Sequence, residues 1–225
     1  MFRKFFEQYR WKKLAAQLRK PNGAPGHKVG RKMNDANRFL YDFTLDEMMI
    51  QDNHSILEIG FGNGCFFNKL FNRAENLKVT GLDFSDSMVR SAIKNNAEKI
   101  AKGDLTIVKG QSDKLPFPDN TFDKVFCINV AYFWEEPQQH LLEIQRILKP
   151  EGKFYCTVRT EKSLESMPFT KYGFRSYNEA DWKLLAHQNH LAFIKGVLVN
   201  EPSIEFAGRT VDTQSLCFIT EKKRI

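Results

Sequence analysis

At 225 residues with 42% hydrophobic side chains, the chain can bury one sizeable core. No run approaches the roughly eighteen consecutive apolar residues that a spanning helix needs. The net charge of +7 belongs to one end: residues 1–32 hold ten Lys or Arg and one acid, Glu7, so they carry +9 and leave −2 for the rest.

Residues 1–20 read as a helix. Phe2, Phe5, Phe6 and Tyr9 share one face, while Trp11, Leu14, Ala15 and Leu18 lie on nearly the opposite one. Three readings of this segment stay open. It rests on an anionic membrane surface, where each Lys or Arg contributes about 1 kcal/mol; it contacts the phosphates of a nucleic acid; or it packs both apolar patches on the domain and leaves its charges in water. Arg3 and Lys4 come before any clean apolar run, and no small-residue cleavage site follows, so a secretory signal is not expected. Pro21 to Gly26 reads as a flexible break, and residues 27–38 lead into a helix with Phe39, Leu40, Phe43, Leu45, Met48 and Met49.

The strand Ser55 to Ile59 runs into Gly60-Phe61-Gly62-Asn63-Gly64 and then an apolar helix through Phe66, Phe67, Leu70 and Phe71. Glycines at 60, 62 and 64 remove the Cβ atoms from one side of the turn, so a ligand can lie against bare backbone and its amides. The next strand, Val79 to Leu82, stops at Asp83, where a doubly wound sheet presents an acid to the two hydroxyls of a ribose. Together these point to an adenosine-bearing cofactor. The dinucleotide fingerprint needs a third small residue at a position occupied here by Cys65. Glu58 would repel a pyrophosphate but attract an ammonium or sulfonium, which favours S-adenosylmethionine.

Further strands and helices alternate: strand Leu105 to Val108, strand Asp123 to Ile128, helix Gln138 to Leu148, strand Lys153 to Val158, helix Asn178 to Asn189, then strands Ile194 to Val199 and Leu216 to Thr220. This alternation predicts a parallel sheet, and the two closely spaced final strands predict one antiparallel member. Loops at the carboxyl ends of the strands carry the site in such sheets, which singles out Asn129-Val130-Ala131-Tyr132-Phe133-Trp134; core packing is the competing reading for Phe133 and Trp134. The stretch Thr160 to Tyr177, with Met167, Pro168, Phe169, Tyr172 and Phe174, reads as a substrate lid. Cys65, Cys127, Cys156 and Cys217 form no C-x-x-C and read as reduced residues of a cytoplasmic protein. Cys65 opens a helix, a place that can lower a thiol pKa, although packing is the competing role. His140, His187 and His190 come with no acid partner or ligand spacing, so no metal site is expected and each reads as surface or core.

Four runs in order, residues 57–64 (LEIGFGNG), 81–88 (GLDFSDSM), 115–123 (LPFPDNTFD) and 147–153 (ILKPEGK), resemble the class I S-adenosylmethionine-dependent methyltransferases. Within that superfamily they resemble the small-molecule branch that includes the quinone-biosynthesis enzymes. The resemblance covers about residues 55–160. It implies an α/β, doubly wound, Rossmann-like fold with a seven-stranded, mostly parallel sheet and one antiparallel strand. It also implies a division into residues 1–50, a basic helical extension with a helix covering the cofactor, and residues 51–225, the methyltransferase domain. Glu58, Gly60, Phe61, Gly62, Asn63 and Gly64 would line the cofactor's methionine part, and Asp83 would accept from the ribose. Phe84 and Met88 would pack on adenine. Gln111 stands where the family often has an Asp for the adenine amine; its carbonyl oxygen still accepts, without charge assistance, and Ser112 and Asp113 are alternatives. Asn129 would face the transferable methyl group, with Met33, Asn34, Asn37, Tyr132 and Tyr172 toward the acceptor.

The Asn-Pro-Pro-Tyr or Asp-Pro-Pro-Tyr run of enzymes that methylate base amino groups is missing, which disfavours modification of DNA adenine or cytosine amino groups; nucleic acid is not the expected partner. Transfer from a sulfonium is an in-line displacement for which positioning supplies much of the rate, and His27, Asn129 and Tyr172 are the candidates for assisting proton removal, with no catalytic residue assigned. The expected activity is methylation of a small, lipophilic acceptor, and peripheral membrane contact is one of the three open readings of residues 1–20. The alternatives are a non-catalytic nucleotide-binding module acting through its basic N-terminus on membrane or nucleic acid, and a nicotinamide-dependent oxidoreductase.

Overall fold

A computed structural model describes residues 2–224, and their side chains from residue 5 onward. Its centre is a seven-stranded sheet of β1 (Ser55–Ile59), β2 (Lys78–Asp83), β3 (Leu105–Lys109), β4 (Phe122–Ile128), β5 (Leu148–Arg159), β6 (Leu191–Asn200) and β9 (Gln214–Lys222), in the order β3-β2-β1-β4-β5-β9-β6. The first five strands are mutually parallel, and β9 runs antiparallel to both β5 and β6. The expected mostly parallel sheet with one reversed strand is therefore present. A short hairpin, β7 (Ile204–Phe206) and β8 (Arg209–Val211), precedes β9 and lies outside the strands expected from the sequence.

Both faces of the central strands are buried, because period-2 alternation sends successive side chains into different cores. Leu57, Ile59, Val125, Cys127, Phe154, Cys156 and Val158 pack under α6 (Pro137–Ile147) and α8 (Glu179–Gln188). Ile56, Phe126, Ile128 and Tyr155 face the other way, toward α2 (Gly23–Met48), α3 (Phe67–Phe71) and α4 (Asp86–Asn95). Helices α5 (Ala97–Ala101) and α7 (Glu161–Glu165) complete the layers. The sheet order reverses between β1 and β4, which opens a crevice at their carboxyl ends.

Two expectations change at the N-terminus. Helix α1 (Phe2–Arg19) buries only one of its apolar patches: Trp11, Leu14, Ala15 and Leu18 pack on Met167, Phe169, Tyr172, Phe174 and Phe206, while Phe5, Phe6 and Tyr9 stay exposed. The side chain of Phe2 lies outside the described residues. The break shrinks to residues 20–22, since Gly23 already belongs to α2. Pro25 sits in the first turn of α2, where its missing N–H has no intrahelical partner to lose. Gly26 permits the tight reversal, because a Cβ there would come within 2.7 Å of the Pro21 carbonyl carbon.

The stretch after β5 is structured as α7 and a 3-10 turn (Pro168–Lys171), and it cradles α1. Deeper in, Trp182 is fully buried and stacks on Phe218 at 4.9 Å and 12°. Trp182→Ala should cost about 3–5 kcal/mol of stability; the shift of the chemical denaturation midpoint measures it.

Candidate active site

The crevice at the strand switch holds a cavity of about 290 Å³. Its wall is assembled from the carboxyl ends of β1, β2, β3 and β4, with α2 across the front. Glu58, Gly60, Phe61, Gly62 and Asn63 line it from the first glycine turn, Asp83, Phe84 and Met88 from the end of β2 and start of α4, and Gln111, Ser112 and Asp113 from the loop after β3. Asn129, Phe133 and Trp134 come from the segment after β4, and Met33, Asn34 and Asn37 from α2.

The glycine turn has the bareness that its sequence predicts, for reasons that differ by position. Gly60 has φ +76° and a Cβ there would lie 2.4 Å from Val130 Cγ2. Gly62 has φ +60° and faces open space within 4 Å, so its absent side chain leaves room beside the cavity. Gly64 is a correction. It does not line the cavity; it is glycine because a Cβ would meet Ala92 at 2.8 Å, and its carbonyl accepts from Asn96 Nδ2 at 3.0 Å. Its role in the structure is to let the turn pack on α4.

Two carboxylates stand nearly out of water beside the cavity. Glu58 is 7% exposed and accepts from the Tyr41 hydroxyl at 2.8 Å; burial, reinforced by the charge of Asp83, pushes its pKa up to about 8. Asp83 is 6% exposed, with one oxygen accepting from Ser85 N at 2.8 Å and the other from Gly62 N at 3.0 Å. Burial pushes its pKa up to about 6 against the pull of those amides. A buried acid held near pH 8 is a site short of a positive partner, and a cation beside it would restore its ionised form.

The amide pair Asn37 and Asn129 closes another part of the wall. Asn129, at φ +58°, donates through Nδ2 to Asn37 Oδ1 at 2.9 Å and accepts from the Tyr132 hydroxyl at 2.7 Å. The same hydroxyl accepts from the Arg159 backbone N–H. Arg159 is fixed by a nearly buried ion pair with Glu201, Nη2 to Oε2 at 2.7 Å, and also reaches the Ala36 carbonyl at 3.2 Å. Tyr132 is therefore a correction: it is buried behind Asn129 and sets that side chain's orientation without lining the cavity. Tyr172 is a second, since it belongs to the cluster under α1, and no residue of 160–177 lines the cavity. His27 likewise is exposed, beside Ser91, and does not line the cavity.

The front wall is pinned in place. The Pro21 carbonyl accepts from Ser85 Oγ at 2.5 Å and Ser87 Oγ at 2.6 Å. Arg19 pairs with Glu135 at 2.6 Å, and the Lys20 ammonium lies 5.1 Å from the Phe84 ring centroid. Several wall residues escaped sequence reading, among them Tyr41, Gln139 and His140. His140 stacks on Trp134 at 4.7 Å and 7°, with Nδ1 2.8 Å from Ser112 Oγ, and burial lowers its pKa to about 4. Its partners sit in other elements, so no local spacing marks it. The thiol of Cys65 goes against the helix-terminus expectation, pushed up to about 11 chiefly by burial, with Glu58 adding to it. Among the described residues no cluster of metal-ligating side chains occurs.

Residues 57–156 match the methyltransferase domain family model (Methyltransf_11). Over that stretch, just under half of the chain, the protein resembles the S-adenosylmethionine-dependent methyltransferases. An uncharacterised methyltransferase of Bacillus subtilis, YdaC, is 29% identical over 69% of this chain and 83% of its own length. The ubiquinone/menaquinone biosynthesis C-methyltransferase UbiE of Rickettsia bellii is 31% identical over 65% of this chain and 62% of its own length, so the chain spans about three-fifths of that relative. A putative methyltransferase of Haloferax volcanii, solved in complex with the Trm112 methyltransferase activator, superposes with a TM-score of 0.75 at 21% identity, over 87% of this chain and 93% of that one. At that identity the likeness concerns the fold. S-adenosylmethionine is the cofactor of this class, and the residues present suit it: a buried carboxylate in want of a cation for the sulfonium-bearing methionine part, and a bare turn beside it.

The Glu58 shift carries a cost in stability. Its carboxyl ionises near pH 4.5 when exposed and near pH 8 in the fold, so stability is fully present below the lower value and falls as pH rises toward the upper one. Glu58→Gln should raise the thermal midpoint of the cofactor-free protein at pH 8, with the difference vanishing toward pH 4. Calorimetric scans across that range measure it.

Proposed function

We propose that this methyltransferase modifies a small, lipophilic acceptor of the phenol or quinone-precursor kind, seated against Val130, Phe133, Trp134 and Met33. The observation that carries this reading is the composition of a single cavity: buried acids from β1 and β2 on one part of the wall, and an aromatic and amide surface after β4 on another. The UbiE relative's name, with its C-methylation in quinone biosynthesis, supports the acceptor class.

S-adenosylmethionine supplies an electrophilic methyl group on a positively charged sulfur. Glu58 would balance that charge and the adjacent ammonium by ionising beside them, with the Tyr41 hydroxyl holding its orientation. Asp83 keeps lone pairs free after accepting from Ser85 N and Gly62 N, and these would take the two ribose hydroxyls. Phe84, Met88, Gln111, Ser112 and Asp113 would enclose the adenine. Asn129, fixed by Tyr132, would hold an acceptor oxygen through its amide, with Asn34 and Asn37 alongside. The residues mainly exclude water and set direction and distance for a displacement with a good leaving group, while the proton that the acceptor loses passes to solvent. His140, neutral above about pH 4, adds a polar edge to the wall without adding charge.

Asp83→Ala should weaken S-adenosylmethionine binding at least tenfold, about 1.4 kcal/mol, in a calorimetric titration in which NAD gives no heat. Unchanged affinity would remove Asp83 from the site. For the acceptor, transfer of labelled methyl to lipophilic phenols and demethylated quinones should exceed transfer to hydrophilic amines, and Asn129→Ala should lower kcat by about tenfold or more with cofactor affinity kept. Preference for the amines would overturn the acceptor class.

A further inference from the structure

Helix α1 is divided along its length. Its inner face is spent on Trp11, Leu14, Ala15 and Leu18, packed on Met167, Phe169 and Phe206. On its outer face Phe5, Phe6 and Tyr9 are 69%, 65% and 61% exposed. At 3.6 residues per turn, these three form one ridge continued by Lys13, with Lys12 on one flank and Arg10 on the other. Glu7, the helix's single acid, projects toward the packed side. Among the described residues no carboxylate lies in ion-pair distance of Arg10, Lys12 or Lys13; the α1 cation that has such a partner is Arg19, with Glu135.

We propose that this ridge docks the protein on an anionic lipid surface, with the three aromatic rings inserted at the headgroup boundary and Arg10, Lys12 and Lys13 on the lipid phosphates. The charge distribution favours this occupant: residues 1–32 carry +9 against −2 elsewhere, so an anionic surface turns this end of the molecule toward itself. Exposed Phe has no polar atom to satisfy and gains by leaving water, and Tyr suits the interface with its hydroxyl outward. A nucleic acid would use the cations but gain less from rings set on a convex helix, which offers no groove to track a strand. No helix of the described residues is long and apolar enough to cross a membrane, so the contact is peripheral. The same helix ends in Leu18 and Arg19, and both they and Pro21 line the cavity. Docking therefore sets the cavity's front wall close to the bilayer, whatever the acceptor is.

Co-sedimentation of the full chain with phosphatidylcholine–phosphatidylserine vesicles tests the proposal. The protein should pellet with them, stay in solution with phosphatidylcholine alone, and be released by half-molar NaCl. The combined Phe5→Ser, Phe6→Ser, Tyr9→Ser variant and the combined Lys12→Glu, Lys13→Glu variant should each weaken vesicle binding roughly tenfold or more. S-adenosylmethionine affinity and the thermal midpoint should not change, since every altered side chain is exposed. Equal vesicle binding by parent and aromatic variant would overturn it. So would capture of a single-stranded oligonucleotide in place of vesicles, or a concentration-dependent dimer that the aromatic variant abolishes while vesicle binding persists.

Discussion

An acid buried without a cation governs this molecule. Glu58 sits on a central strand, in a place where an ordinary fold would spend a hydrophobic residue, and the protein meets part of the cost with one phenol, Tyr41, from α2. That single bond ties the front helix to the sheet at the point where the strand order turns. The same helix buries Leu40, Leu45 and Met48 in the core, so the part of the chain that covers the cavity is built into the domain. A charge that is costly in the empty fold and favourable beside a sulfonium is how a binding site stores selectivity for its cationic ligand.

Around that acid, the geometry is set by what the sheet permits. Parallel strands buried on both faces leave their carboxyl ends as the free surface, and each loop there contributes one kind of group: bare backbone after β1, a carboxylate after β2, polar side chains after β3, amide and aromatic surface after β4. The last of these is the most elaborately supported. Asn129 takes its orientation from Tyr132, which is held by the Arg159 backbone, which is anchored by Glu201. Removing any link would loosen an amide that the cavity presents.

Much of this was legible from the chain alone, and the reasons are specific. The strand, glycine turn and helix at 55–71 and the acid at Asp83 are local signals, each with its physical cause inside a few residues. The core strands announced themselves by apolar runs. A glycine needed for packing and one needed for ligand access look identical in sequence, and at Gly64 only the position of Ala92 tells them apart. Aromatics in a long segment suggest a ligand, whereas the partner of Tyr172 and the stretch around it is α1. No local spacing marks His140, because its partners, Ser112 and Trp134, come from different elements. The hairpin before β9 is easily passed over because each of its strands has only three residues.

Of the three tryptophans, Trp11 stands apart, while Trp134 and Trp182 stack on each other at 6.4 Å and 27° along the path from cavity to core. Trp11 lies against Phe206 in the seam that holds α1, Trp134 stands in the cavity wall on a neutral imidazole, and Trp182 is sealed in the core between Phe154 and Phe218. Indole emission depends on local polarity and on quenching neighbours, so replacing two of them with phenylalanine leaves a lamp in one chosen compartment. Detachment of the helix, filling of the cavity and loss of the core thereby become optically separable events in one molecule, without any added dye.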